Sequence, residues 1–155
     1  VGTALLLNNL PQTMQGKVLD FGCGAGVISC FVGKKFPQTQ LSLLDVSALA
    51  ITSAKKTLAL NDLSGDVFAS NSLSKVAGKF QHIVSNPPFH QGIKTSYQAT
   101  EDFLQDINTY MASKADITVV ANSFLQYLPI MKQNIGAPKA LINSQGFNIY
   151  YCLKN

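Results

Sequence analysis

The chain has 155 residues, of which 46% are hydrophobic and 13% charged, and its formal net charge is +4. This length fits one domain with a sizeable core, and we find no repeats, low-complexity tracts or internal linker. No apolar run is long enough to cross a membrane, and the apolar start lacks the basic flank of a signal peptide. All basic residues are scattered lysines, which favours a polyanionic partner only mildly.

The three cysteines, Cys23, Cys30 and Cys152, lack the spacing of metal ligands, so we expect no bound metal. Reduced thiols explain their odd number most simply, and they indicate a cytoplasmic protein. The first residue is Val1 rather than Met, so we expect a fragment or a processed chain.

Strand-forming and helix-forming segments alternate along the chain. The strands are predicted at residues 17–21, 40–45, 66–70, 80–85, 116–121, 137–144 and 147–153. The helices are predicted at residues 3–10, 26–36, 48–61, 100–112 and 128–134. This alternation predicts right-handed crossovers and a mainly parallel sheet, with one antiparallel strand near the C-terminus. The predicted fold is α/β, a Rossmann-like seven-stranded sheet with helices on both faces, in a single domain at residues 1–155.

Three glycines at alternate positions, Gly22, Gly24 and Gly26, follow the first strand. Glycine has no Cβ, so such a turn lets the backbone approach a ligand, and the next helix directs unpaired N–H groups at it. The spacing differs from Gly-x-Gly-x-x-Gly, and the ending of a phosphate loop is absent. Asp20 precedes the turn and no cation lies within it, which favours a ligand with a cationic or neutral centre. A nucleotide site and a purely structural turn are the alternatives.

Polar residues also follow the second and third strands, where ligands of open α/β sheets bind. Asp45 could accept hydrogen bonds from both hydroxyls of a ribose, or it could cap the next helix. We expect Val46, beside it, to contact the same ligand. Ser70 and Asn71 follow the third strand, and the Asn71 amide could read an adenine edge or only form a turn.

The fourth strand ends at Asn86-Pro87-Pro88-Phe89. Two prolines stop a strand and stiffen its exit, but this purpose needs neither the asparagine before them nor the aromatic residue after them. The stiff turn would fix two acceptors, the Asn86 side-chain oxygen and the Pro87 carbonyl, for the N–H groups of a planar exocyclic amine or amide. Holding both N–H groups out of the conjugated plane exposes the nitrogen lone pair to a methyl donor. Phe89 can stack on a planar base.

Residues 91–98 are predicted to form a loop that could cover the base. Lys94, in this loop, could contact a phosphate, as expected in RNA binding. His90 adjoins the turn and could touch the substrate or only cap the loop. His82, inside the fourth strand, is predicted to be a packed residue of the sheet.

These motifs resemble those of known enzymes. The string Asp-x-Gly-x-Gly-x-Gly at residues 20–26 resembles the first motif of Rossmann-like methyltransferases that use S-adenosylmethionine, and the string at 86–89 resembles that of methyltransferases acting on amino groups. Longer strings are similar to the ribosomal RNA guanine-N2 methyltransferases of the bacterial small subunit, at residues 20–27, 45–48, 67–71, 85–92 and 120–127. Two features depart from that family: residues 112–116 lack its glycine-rich turn, and the chain has no arginine.

The resemblance implies S-adenosylmethionine as cofactor, a guanine N2 amine as acceptor, and ribosomal RNA or the assembled small subunit as partner. Family members carry an additional N-terminal domain that helps to hold RNA, so we expect one to be missing here. The alternatives are another acceptor (a release-factor glutamine or adenine N6 of DNA) and a non-catalytic methyltransferase-like domain that binds RNA. The residues assigned to catalysis are Asn86, Pro87, Pro88 and Phe89, and those assigned to the substrate are Phe89, His90 and Lys94. Those assigned to the cofactor are Asp20, Gly22, Cys23, Gly24, Gly26, Asp45, Val46, Ser70, Asn71 and Asn86.

Overall fold

The structure, a computed structural model, describes residues 1–87, 93–122 and 127–155. The strands in these ranges are β1 Gly16–Phe21, β2 Thr39–Asp45, β3 Gly65–Ala69, β4 Phe80–Ser85, β5 Met111–Asn122, β6 Pro138–Ser144 and β7 Phe147–Leu153. The helices are α1 Gly2–Leu7, α2 Val27–Lys35, α3 Ala48–Leu60, α4 Ile93–Asp106 and α5 Leu128–Asn134, with a 3₁₀ turn at Ile107–Tyr110.

The described strands form one sheet in the order β3-β2-β1-β4-β5-β7-β6. Strands β1 to β5 run parallel, and β7 runs antiparallel to both of its neighbours, β5 and β6. This arrangement confirms the predicted Rossmann-like sheet with one antiparallel strand near the C-terminus. Chain order along the sheet reverses between β1 and β4, and in such sheets a crevice opens at the reversal, beyond the carboxyl ends of the strands.

Helices cover both faces of the sheet because side chains of β1 alternate between two cores. On one face Val18 packs with α1, α2 and α3. On the other face Leu19 and Phe21 pack with α4 and α5, and the Phe21 ring stacks on Phe103 with centroids 3.9 Å apart. In the part of the chain that the structure describes, no helix is both long enough and apolar enough to cross a membrane.

Most predicted boundaries agree with the structure to within one residue, but α1 ends at Leu7 rather than residue 10. The largest differences lie around α4 and at the start of β5. Helix α4 begins at Ile93 rather than residue 100, so the predicted loop at 91–98 is wrong from residue 93 onward. Thr100 is only 3% exposed and lies on the buried side of this helix, where its polar side chain interrupts the apolar spacing and hides the helical pattern. Residues 91 and 92 lie outside the described residues.

Strand β5 begins at Met111 rather than residue 116, and α4 ends at Asp106, so the helix predicted at residues 100–112 is wrong at its C-terminal end. Met111 is buried and pairs with Phe80 of β4. The pairing then shifts register before His82, and Lys114 takes a left-handed φ of 62°. This irregularity lets one strand contain a segment whose sequence breaks the alternating pattern.

His82 is packed inside the sheet, as predicted, and is 6% exposed. Its Nδ1 lies 2.7 Å from Asp116 Oδ1, and the Gln15 backbone N–H donates to its Nε2 over 3.3 Å. Because Nε2 accepts, the ring proton is assigned to Nδ1, which donates to the carboxylate. The Tyr151 hydroxyl donates to the other Asp116 oxygen over 3.2 Å. This network joins β4, β5 and β7 to the loop before β1.

We expect His82→Ala to lower the free energy of unfolding by about 2–4 kcal/mol, because the buried Asp116 carboxylate loses the hydrogen bond from Nδ1 and the missing imidazole leaves a cavity. Urea denaturation measures this change. Gln81→Ala is the matched control, since Gln81 makes only an exposed bond to the Lys114 carbonyl, and it should cost less than about 1 kcal/mol. Equal losses for the two variants would contradict the interpretation.

Candidate active site

Three neighbouring strands end at one level of the sheet. Phe21, the last residue of β1, pairs with Leu44 of β2 and with Ser85 of β4. The Ser85 hydroxyl donates to the Phe21 carbonyl over 2.7 Å, which fastens the ends of β1 and β4 together. The residues that follow, Gly22, Asp45 and Asn86, therefore emerge side by side. The structure brings together the three features that the sequence analysis placed at separate strand ends.

The glycine turn needs glycine for conformation at each of its three positions. Gly22, Gly24 and Gly26 have φ values of 71°, 54° and 83°, in the left-handed region. The Gly26 N–H closes the turn on the Cys23 carbonyl over 2.9 Å. A Cβ on Gly24 would meet no heavy atom of the described residues within 4 Å, whereas one on Gly26 would lie 3.3 Å from the backbone of Ala54. Gly24 therefore faces open space, and Gly26 lets α2 approach α3.

Alanine at these two glycines should have unequal effects on stability. Gly24→Ala adds only the strain of a left-handed alanine, about 1 kcal/mol. Gly26→Ala adds the same strain and a close contact with α3, so we expect a loss of about 2–4 kcal/mol. Denaturant unfolding of both variants tests this ranking, and a larger loss for Gly24→Ala would contradict it.

Asp45 links the glycine turn to helix α3. Its Oδ2 accepts the Gly24 N–H over 2.9 Å, and its Oδ1 accepts the Ser47 N–H over 3.0 Å. The Ser47 hydroxyl in turn caps α3 by accepting the Ala50 N–H. A carboxylate offers about four lone-pair positions, so two remain for the hydroxyls of a ligand. Val46, which we expected beside that ligand, is 73% exposed.

The two residues predicted to bind a ligand after β3, Ser70 and Asn71, differ in their exposure to solvent. Ser70 is buried, and its hydroxyl donates to the Ser72 carbonyl over 2.7 Å and accepts the Lys75 N–H over 3.1 Å. These two bonds fold the turn. Asn71 is exposed beside them. A ligand at this edge therefore meets the Asn71 amide more readily than the Ser70 hydroxyl, and contact with either residue stays a prediction.

Asp20 is fully buried beneath the turn. Its Oδ2 accepts the Ser29 hydroxyl over 2.8 Å, while its Oδ1 has no hydrogen-bond partner among the described residues. Burial raises the pKa of Asp20 from 3.8 to about 7, the bonds from Ser29 oppose this, and the nearby charge of Asp45 adds to it. A cation placed nearby would favour the ionised carboxylate.

Cys23, between the first two glycines, is a poor nucleophile. Burial raises the pKa of its thiol to about 12, and the negative charges of Asp20 and Asp45 reinforce the shift. Since the thiolate is the reactive form, the side chain stays protonated and inert. Its backbone N–H donates to the Leu44 carbonyl over 2.9 Å, so Cys23 serves the turn through its main chain.

The raised pKa of Asp20 makes stability depend on pH. Between about pH 4 and pH 7 the folded chain keeps a proton on Asp20 that the unfolded chain releases, so stability falls as pH rises through this window. We expect the ligand-free wild type to lose about 3 kcal/mol relative to Asp20→Asn between about pH 5 and pH 8. Denaturant unfolding of both proteins across this range measures the difference, and parallel profiles would contradict it.

Asn86 directly follows β4, and only one of the two polar atoms of its side-chain amide has a hydrogen-bond partner among the described residues. Its Nδ2 donates to the Thr3 hydroxyl of α1 over 2.8 Å. Its Oδ1 is buried and has no hydrogen-bond partner in the described ranges. Pro87 is buried beside it. Pro88, Phe89 and His90 lie outside the described residues, and Lys94 falls on α4 rather than in a loop.

Sequence reasoning missed two residues of this site. Thr3 is 83 positions away from Asn86, and only the fold brings them together. Ser29 lies nine positions after Asp20, in the first turn of α2. This short spacing could have indicated in the sequence that the Ser29 hydroxyl reaches the carboxylate.

A parallel sheet with one antiparallel strand near its C-terminus, a glycine turn after β1 and a carboxylate after β2 define a Rossmann-like α/β domain of the methyltransferase class. The family model described as "Methyltransferase small domain" matches residues 1–151, and the chain belongs to this family. The methyltransferase resemblance found in the sequence is thereby confirmed.

Similar proteins include two that carry the same name, ribosomal RNA small subunit methyltransferase C. The one from Colwellia psychrerythraea is 67% identical over 97% of this chain and 42% of its own length. The one from Aeromonas hydrophila is 45% identical over 97% of this chain and 44% of its own length. The chain thus spans less than half the length of these relatives.

Solved structures share the fold at low sequence identity. A Thermus thermophilus 16S rRNA N2 methyltransferase, in complex with AdoMet and guanosine, matches with a TM-score of 0.87 at 22% identity, over 99% of this chain and 43% of its own. TrmN from the same organism matches with a TM-score of 0.75 at 16% identity, over 99% of this chain and 48% of its own. These likenesses concern the fold alone.

Proposed function

We propose that this chain binds S-adenosylmethionine and transfers its methyl group to the exocyclic N2 amine of a guanine in small-subunit ribosomal RNA. One observation carries the proposal: an open glycine turn lies at the same edge of the sheet as Asn86 Oδ1, which has no partner among residues 1–87, 93–122 and 127–155. The names of the relatives support the class of RNA, and the T. thermophilus complex with guanosine supports the acceptor base.

The residues present fit S-adenosylmethionine on three observations. Gly24 borders open space, so a ligand can approach the main chain of the turn. The Asp45 carboxylate keeps lone pairs for ribose hydroxyls, and the exposed side chains of Val46 and Asn71 would be available to contact an adenine. The unpartnered Oδ1 of Asp20 suits the positive charge of this cofactor. When bound, S-adenosylmethionine supplies an electrophilic methyl group on a sulfonium.

Asn86 and Pro87 would activate the guanine N2 amine, a weak nucleophile, by aligning its lone pair with the methyl group. The lone pair of guanine N2 is delocalised into the ring, so the amine attacks poorly when it is coplanar with the base. Asn86 Oδ1 and the Pro87 carbonyl would each accept one N–H, which turns the lone pair toward the methyl donor. No strong general base is required, since the nitrogen proton becomes acidic once the methyl group has moved. The guanine must leave its stack to reach this site, as bases do in other enzymes that modify them.

The proposal extends to the partner and the rest of the protein. The substrate is ribosomal RNA, free or in the assembled small subunit, which implies a cytoplasmic location. We propose that an N-terminal domain, which the family resemblance implies, helps to grip the RNA in the intact protein; the chain spans 42% of the length of its Colwellia relative. The net charge of +4 on this chain contributes only modestly to that grip.

Asn86→Ala tests the function in the intact native protein. We expect the affinity for S-adenosylmethionine, measured by calorimetry, to stay within about threefold, and methyl transfer to fall by about 100-fold or more, because alignment of the amine is lost. Asn61→Ala is the control, since the Asn61 amide bonds only the Thr57 carbonyl at the far end of α3. Equal loss of binding and transfer in a folded Asn86→Ala variant would contradict the assigned role.

The choice of acceptor is tested with the wild-type protein. Naked ribosomal RNA, assembled small subunits, DNA and release factor are offered in parallel with labelled cofactor, and mass mapping locates the modified base. Methyl transfer to DNA or to release factor instead of RNA would replace the proposed substrate. Failure to bind S-adenosylmethionine at millimolar concentration would favour a non-catalytic RNA-binding domain.

A further inference from the structure

We propose that Thr3 is a positioning residue for methyl transfer: its hydroxyl holds the Asn86 carboxamide so that Oδ1 faces the substrate amine. This inference rests on the proposed function. Asn86 can accept an amine N–H only through Oδ1, and a carboxamide turned by half a rotation would present a donor instead. Some neighbour must therefore anchor the other end of the carboxamide.

Thr3 is placed to fix it. The Asn86 Nδ2 donates to Thr3 Oγ1 over 2.8 Å, which occupies the nitrogen end of the amide and leaves Oδ1 without a partner in the described ranges. A buried acceptor without a partner is unfavourable, so a carboxamide that nothing anchored would move to relieve it. The Thr3 hydroxyl can accept from Nδ2 or donate to Oδ1, so it anchors one end of the carboxamide in place. A substrate N–H at the other end then selects the orientation in which Oδ1 faces the amine.

Helix α1 carries Thr3 to this place through close backbone packing. Leu6 is fully buried and anchors the helix in the core beside the sheet. At Gly2, a Cβ would lie 3.3 Å from the Val120 side chain and 3.6 and 3.7 Å from the two amide atoms of Asn86. The first turn of α1 therefore lies beside the carboxamide, and the hydroxyl of the next residue reaches Nδ2.

The test compares three threonine variants in the intact native protein, with ribosomal RNA as substrate. Thr3→Val keeps the shape and removes the hydroxyl, so we expect kcat to fall about tenfold, while KM for RNA and the affinity for S-adenosylmethionine stay within about twofold. Thr3→Ser restores the hydroxyl and should recover most of the rate. Thr52→Val is the control, since the Thr52 hydroxyl donates to the Ala48 carbonyl on the exposed side of α3.

A double variant separates positioning from structural support. In the Asn86→Ala background, Thr3→Val should have no further effect on the residual rate, because Thr3 acts through the missing amide. Thermal melting checks the fold of every variant, and Thr3→Ala replaces Thr3→Val if the valine lowers the melting temperature strongly.

The results that would contradict the role of Thr3 differ from those that would contradict the proposed function. A wild-type rate in Thr3→Val, a tenfold loss that Thr3→Ser does not rescue, or additive losses with Asn86→Ala would overturn the role of Thr3 and leave the methyltransferase function intact. Absence of methyl transfer by the wild-type protein would overturn the proposed function, and the role of Thr3 with it.

Discussion

The carboxylate of Asp45 shapes the site because it binds two main-chain N–H groups from different segments. Gly24 belongs to the turn after β1, and Ser47 begins the helix after β2. Both donors are backbone groups, so this link fixes the path of the chain whatever side chains surround it. The contact of Gly26 with Ala54 brings α2 and α3 together and supports the same geometry. The turn is therefore shaped by the fold before any ligand arrives.

Most of the fold could be predicted from the sequence because its elements are short and clearly bounded. The strands at residues 80–85 and 147–153 and the helix at 128–134 were placed at their observed limits, since prolines and a Gln-Gly turn mark them. The start of α4 and the start of β5 were not. Both depend on tertiary packing: a threonine is buried in the helix stripe, and Lys114 adopts a left-handed φ within the strand.

In the candidate site, too, some residues could be predicted from the sequence and others could not. The three glycines, Asp45 and Asn86 could be singled out because few roles need those residue types at the ends of buried strands. Their immediate partners could not, since hydrogen bonds such as that of Thr3 with Asn86 join residues far apart in the chain. Ser70 shows the converse: its position suggested a ligand contact, but its hydroxyl is occupied by local main-chain groups. Residue type indicates the chemistry, while orientation is decided by three-dimensional contacts.

The reversal of strand order between β1 and β4 divides the sheet into two halves, β3-β2-β1 and β4-β5-β7-β6, with different roles at the site. The turn and the carboxylate on β1 and β2 would serve the methyl donor, and the exit of β4 would serve the group that receives it. The halves meet through parallel pairing of β1 with β4, the bond from the Ser85 hydroxyl to the Phe21 carbonyl, and the stacking of Phe21 on Phe103. These contacts precede the exit of β4. Substitutions after β4 can therefore change the acceptor without disturbing the donor half. A sheet arranged in this way is well suited to acquire new substrates during evolution while its cofactor stays the same.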